Sequence, residues 1–180
     1  MRIRNMRMKG SWAEVLDAAR ETVGKEALNR EPSDKWKKKI LLAEHSPIRR
    51  IFFSWEWVDL PYDISTHFVR HKYGIEHWVK SQRTDRTGVD RSKLSQKAPV
   101  NHMAEGSVQA LINISRKRFC NKADAETQEA WNLVFGEIRK IDPIIASVMV
   151  PECVYRGFCP EMASCGDLFH GFDLGAYRKV

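Results

Sequence analysis

A chain of 180 residues with 43% hydrophobic and 29% charged content has the size and composition of one folded domain, not of a disordered or fibrous protein. No apolar run approaches the roughly 18 residues that cross a bilayer, so no membrane partner and a cytoplasmic location are expected. The net charge of +7 points to anionic partners, nucleic acid and phosphorylated small molecules alike.

Residues 2–8, with Ile3, Asn5 and Arg7 alternating against charged and methionine positions, predict a short strand. Ser11 with Glu14 forms a capping box, and Trp12, Val15, Leu16, Ala19 and Val23 continue at helical spacing to Gly24. Ser33 caps a second helix, in which Trp36, Ile40 and Leu41 share a face and the lysines are expected in water. RRIFFSWEWVDL (49–60) reads as a strand from its β-branched and aromatic content. Pro61 then opens a helix that Gly74 stops, which places Arg70, His71 and Lys72 in its last turn.

Residues 75–84 read as a strand or extended turn, and polar residues 84–103 as a loop. Helices follow over about 105–120, with Val108, Leu111, Ile112 and Ser115 on one stripe, and over 125–141, with Pro143 after the second. An irregular tail rich in cysteine and glycine occupies about 150–180. The reading is one domain of mixed helix and strand spanning 1–180.

Cys153, Cys159 and Cys165 are six residues apart, wider than the tight pairs usual at zinc sites. A fourth ligand would have to be Cys120 or His170. Reduced, packed cysteines and no metal are therefore expected. There is no Gly-rich phosphate loop, no Gly-x-Ser-x-Gly elbow and no His-Glu-x-x-His helix. What stands out is a basic and imidazole-bearing run, VRHKYGIEHWVKSQRTDR (69–86), together with Asn113 and Arg118. Five residues apart, these last two lie roughly 140° from each other on a helix.

The order of these features resembles the flavin-dependent thymidylate synthases over roughly residues 1–120. Glu44-His45 with Ile48 is similar to the family's Glu-His motif, and Arg70-His71-Lys72 to its Arg-His-Arg. Ser81-Gln82-Arg83 matches its Ser-x-Arg, and Asn113 with Arg118 its later Asn-to-Arg helix. There are departures. Lys72 replaces an arginine and loses the planar fork, and residues 73–80 carry one extra residue and no Asn-Glu. Gln109 stands where the family has an arginine, and the 84–103 segment is short, leaving Arg86 or Arg91 to replace a phosphate-contacting arginine.

The resemblance implies an α+β domain of mixed helices around a small antiparallel sheet, assembled as a homotetramer with FAD bound between subunits. It implies one-carbon transfer from methylenetetrahydrofolate to C5 of a deoxypyrimidine monophosphate, dUMP to dTMP, with NADPH reducing the flavin. His45, Ser46, Arg70, His71, Lys72 and Asn113 would bind the cofactor. His67, Arg70, Ser81, Gln82, Arg83 and Arg118 would bind the nucleotide, with Arg118 and Ser81 catalytic. The altered motif leaves dCMP as substrate, or a hydroxymethyl product, as alternatives within the same chemistry. A basic nucleic-acid-binding protein without catalysis, using 69–93 and Trp78, is the alternative of another class.

Overall fold

Ten residues with aromatic side chains at every second position form the central strand. In the computed structural model, which describes all 180 residues, Phe53, Trp55 and Trp57 of β2 (Phe52–Pro61) are buried, while Phe52 is exposed and Ser54 and Glu56 face outward beside it. β1 (Arg2–Lys9) pairs antiparallel on one side of β2 and β4 (Pro99–Ser107) on the other. β3 (Ile75–Val79) pairs antiparallel with β4, giving the order β1-β2-β4-β3. The fold class is α+β, as the sequence led us to expect.

Helices cover the inner face of this sheet. α1 (Trp12–Glu21) and α2 (Asp34–Leu42) lie between β1 and β2 in sequence, with a 3-10 turn at Ser46–Arg50 leading into β2. α3 (Tyr62–Phe68) follows β2, and the short α4 (Thr84–Thr87) and a 3-10 turn at Arg91–Lys93 precede β4. α5 (Val108–Arg118) and α6 (Ala125–Ile141) come next, and α6 packs on β1 and β2. The small α7 (Pro143–Ala146), α8 (Glu152–Arg156) and α9 (Leu174–Arg178) complete the chain, with α8 against α5.

The core is built around indoles. Trp57 stacks on Phe68 with ring centroids 4.5 Å apart and meets Trp55 edge-on at 5.3 Å; such aromatic pairs stabilise beyond the area they bury. Its Nε1 donates to the Ala130 carbonyl of α6, 3.0 Å away. Trp131 Nε1 donates to Ser115 Oγ at 3.0 Å, and that hydroxyl donates onward to Leu111 O at 2.8 Å. Replacing Ser115 by alanine leaves the fully buried Trp131 N–H unpaired. The expected loss is about 1–3 kcal/mol, read as a lower urea midpoint. An unchanged midpoint would show that the indole finds another acceptor.

Four sequence expectations change. Residues 99–103 are not loop but the start of β4, which is flanked by strands on both sides. Its inward residues, His102, Ala104 and Gly106, read as weak strand formers, yet the space requires small ones: a Cβ on Gly106 would lie 3.3 Å from the Ile75 side chain. The inward alternation in β1 also shifts, because Asn5 takes φ +56° in a bulge and Ile3, Met6 and Met8 pack inward. α3 ends at Phe68, so Arg70, His71 and Lys72 lie in the turn before β3, not in a helix. Not all lysines of α2 are wet either, since Lys37 is buried over the Trp12 ring and paired with Glu31 at 2.5 Å.

Candidate functional site

α3 ends with unpaired carbonyl groups, as every helix does, and the last residue of α5 meets them. Arg118 Nη2 donates to His67 O at 2.6 Å, and Nε donates to His71 Nε2 at 3.1 Å. The guanidinium also lies 5.8 Å from the Phe68 ring centroid. Its Nη1 has no partner in the chain, leaving a fixed edge of the fork for a ligand. Burial lowers the Arg118 pKa, and the nearby Arg70 cation lowers it further. Asp124 acts in the opposite sense, and the two cations together favour an anion beside them.

Because His71 Nε2 accepts a hydrogen bond from an arginine, the His71 ring is neutral with its proton on Nδ1. Burial, then Arg118 and His77, pushes its pKa down to about 4. His71 therefore supplies Arg118 with a positioned acceptor at neutral pH.

A chain of histidines holds this turn in place. His77 Nε2 lies 3.1 Å from His71 O, an acceptor only, so it carries the proton. His77 Nδ1 must then accept from His102 Nε2, 2.9 Å away. His102 Nδ1 in turn accepts from the Ser65 hydroxyl at 3.1 Å. Every proton in the row is thereby assigned, running from the buried end of α3 through β4 and β3 to the 70–74 turn. Burial, and then His77, pushes the His102 pKa down to about 3, and burial lowers that of His77.

His67, one turn back, is anchored separately. Thr127 donates to Asp124 at 3.0 Å and therefore accepts from His67 Nδ1 at 2.7 Å, leaving His67 Nε2 free of protein partners.

The second cluster sits on another flank of α5. Glu44 follows the α2 cap with φ +48°, a position where glycine is usual. Its carboxylate pairs with Arg116 Nη2 and accepts from Gln109 Nε2 at 2.5 Å. Asn113 Oδ1 accepts from Gln109 and Arg116, each at 3.3 Å. Arg116 stacks 3.5 Å from the Tyr155 ring centroid, and its buried Nε has no partner. The strain at Glu44 is thus offset by a paired carboxylate. Sequence reading missed Arg116, Gln109 and Tyr155; the spacing of Gln109, Asn113 and Arg116 on one helical face was the available signal.

The remaining residues fall outside both clusters. His45 and Ser46 are exposed at the start of the 3-10 turn, and their side chains make no hydrogen bond. Arg70 and Lys72 are exposed cations without an ion pair. Ser81 accepts from the Arg83 amide at 3.2 Å, a local turn contact. Arg83 is forked onto Asp85 at 2.9 and 2.7 Å. Gln82 lines a hollow of about 320 Å³ with Tyr62, Asp63, Thr66 and Arg91. No hydrogen bond or ion pair joins Ser81, Gln82 or Arg83 to Arg118, His71 or His67 within one chain. Arg86 lies on α4 and is exposed.

No family model matches the sequence, and no curated protein matches it either. Solved structures do. A UMP/dUMP methylase, PolB, from Streptomyces cacaoi bound with 5-Br dUMP is 13% identical, with a TM-score of 0.62, over 87% of this chain and 95% of that one. The flavin-dependent thymidylate synthase ThyX from Helicobacter pylori, complexed with FAD and dUMP, is 13% identical with a TM-score of 0.62, over 78% of this chain and 97% of that one. A second ThyX structure from the same organism, also with FAD and dUMP, is 12% identical with a TM-score of 0.60, over 76% and 92%. At these identities the likeness establishes the fold: the chain is folded as a flavin-dependent thymidylate synthase is.

Proposed function

We propose that this chain is a flavin-dependent, thymidylate-synthase-like enzyme that transfers a one-carbon unit from methylenetetrahydrofolate to C5 of dUMP, giving dTMP, with NADPH as reductant. The observation that carries the reading is the Arg118 guanidinium, locked on His67 O and His71 with one edge free, next to Arg70 and within the shared fold.

The residues present suit FAD and a nucleotide monophosphate. Arg70, Lys72, His45 and Ser46 offer exposed donors that nothing in the chain consumes, and such donors bind phosphate oxygens by charge-assisted hydrogen bonds. Asn113 and the Glu44 cluster form a polar wall near His45. FAD, when bound, supplies the hydride chemistry that side chains lack. Arg118 stabilises the negative charge that develops on the pyrimidine, and neutral His71 fixes its orientation. His67 Nε2, the unprotonated nitrogen, is left to accept from a substrate N–H or O–H. Ser81, Gln82 and Arg83, which stand apart from Arg118 in one chain, complete the site across a subunit boundary in a homotetramer.

The same chemistry on dCMP, or with a hydroxymethyl product, uses the same residues. A nucleic-acid stripe is disfavoured by the pairing seen here. Arg83 is bound to Asp85, Lys93 stands 3.9 Å from Asp90, and Arg118 is turned inward. A cytoplasmic location belongs to the same proposal; no helix is long and apolar enough to cross a membrane.

The test is an absorption spectrum of the purified protein, before and after adding FAD. Flavin bands that persist through gel filtration are expected. A colourless protein that ignores FAD and binds nucleic acid with steep salt dependence overturns the reading.

A further inference from the structure

The tail is fastened mainly through side chains, with Phe169 and Phe172 packed against the core. Between Phe158 and Asp173 there is no helix or strand, and the backbone makes one hydrogen bond to itself, Phe172 N to Phe169 O. Loops of this length within a domain need some other fastening.

All four cysteines of the chain meet at this segment. Cys120, just past the end of α5, Cys153 on α8, and Cys159 and Cys165 in the tail line one cavity of about 10 Å³. That is room for a single water-sized occupant. None of the four is in a disulfide. His170 lines the same cavity with its side chain only 7% exposed, its Nδ1 4.0 Å from Cys165 Sγ. The backbone turns sharply to bring it there, with φ +71° at Phe169 and +49° at His170. Lys122 also lines the cavity.

We propose that Cys120, Cys153, Cys159 and Cys165 bind one zinc ion as a structural tetrathiolate site, with His170 as an outer hydrogen-bond donor to Cys165. Zinc takes four thiolates tetrahedrally at about 2.3 Å. No three of these groups stand close enough to form a ligand set as they are, so zinc binding requires the sulfurs to move inward, which would couple metal uptake to ordering of the tail. Four thiols bind one Zn²⁺ as thiolates and release four protons to solvent, and no electron moves. The cluster would carry two negative charges in a cavity that Lys122 lines together with Glu152, Glu161 and Asp167. Cys120, two residues after Arg118, was a candidate fourth ligand in the sequence, and it was the six-residue spacing, wider than the usual tight pairs, that argued against a metal. The zinc would tie the tail to the very end of the helix that carries Arg118.

The experiment is elemental analysis of the full chain grown with zinc, paired with Co²⁺ titration of the chelated protein. We expect one zinc per chain, the visible bands and thiolate charge transfer of tetrahedral cobalt, and thiols that react with Ellman's reagent only after chelation. Chelation should also speed chymotrypsin cleavage at Phe158 and Leu168, which are already exposed. Cys120→Ser and Cys159→Ser should lose the metal, whereas Met162→Ala, at an exposed tail position, should keep it. Absence of zinc with four freely reactive thiols and no cobalt bands overturns the proposal, as do intramolecular disulfides in the intact mass. The cobalt titration uses the unmodified chain, so it decides the matter even where a variant fails to fold.

Discussion

Replacing Arg118 with alanine should lower dUMP turnover by roughly 10²–10³-fold while leaving most of the affinity for FAD. The size follows from the geometry. His67 O and His71 Nε2 occupy two of the guanidinium's nitrogens and hold Nη1 in a single direction. A donor fixed before reaction costs no reorganisation when charge develops on the pyrimidine, and loses nothing to competing water. Lysine at this position keeps the charge but not the fork, so Arg118→Lys should recover only part of the rate. Loss of the bond to His67 O also leaves one carbonyl of α3 uncapped, which costs about 1 kcal/mol. Thermal melting of the variant separates that small loss from the kinetic one. Turnover equal to the unmodified enzyme would remove Arg118 from the site.

Acidification from pH 7 to pH 5 should destabilise the fold strongly, in a window where carboxylates titrate little. Folding depresses the His102 pKa to about 3 and that of His71 to about 4, from an ordinary 6.5. The unfolded chain then takes up protons first. Stability is full above about pH 6.5 and falls as pH drops, at up to ~1.4 kcal/mol per pH unit for each such histidine. His71 keeps some contact with solvent and contributes less than fully buried His102. A combined loss of about 3 kcal/mol by pH 5 is expected. His77 acts in the same direction. Urea unfolding at pH 7.5, 6 and 5 measures it, and His102→Gln should flatten the dependence. A stability unchanged between pH 7.5 and 5 contradicts the neutral histidine row.

The longer helices α1, α2, α5 and α6 were legible because their caps and periodic faces are local, whereas the single-turn α4, α8 and α9 fall in segments read as loop or irregular tail. Ser11, Ser33 and Asp124 each accept an amide hydrogen bond where a helix begins. β2 was legible from its β-branched and aromatic content. β4 was not, since Pro99, His102 and Gly106 suit a central strand only once Trp57, His77 and Ile75 surround them. The site shows the same division. Arg118 and the 70–72 motif stand out in sequence, but nothing local shows that His71 is neutral, or that His102 and Ser65 stand behind it. Those facts depend on burial and on pairs far apart in sequence. Glu44 was visible as part of a motif, yet its partner Arg116 lies 72 residues away. Ser81 shows the opposite limit: its sequence match is good, and its contact within one chain is an ordinary turn bond.

The most direct test of the proposed activity is a product-mass assay with the FAD-loaded enzyme, methylenetetrahydrofolate and NADPH, offering dUMP and dCMP separately. Methylation of dUMP to dTMP, dependent on Arg118, is the predicted result. Turnover of dCMP alone contradicts the assigned substrate, and no product from either nucleotide with flavin bound contradicts the assigned activity.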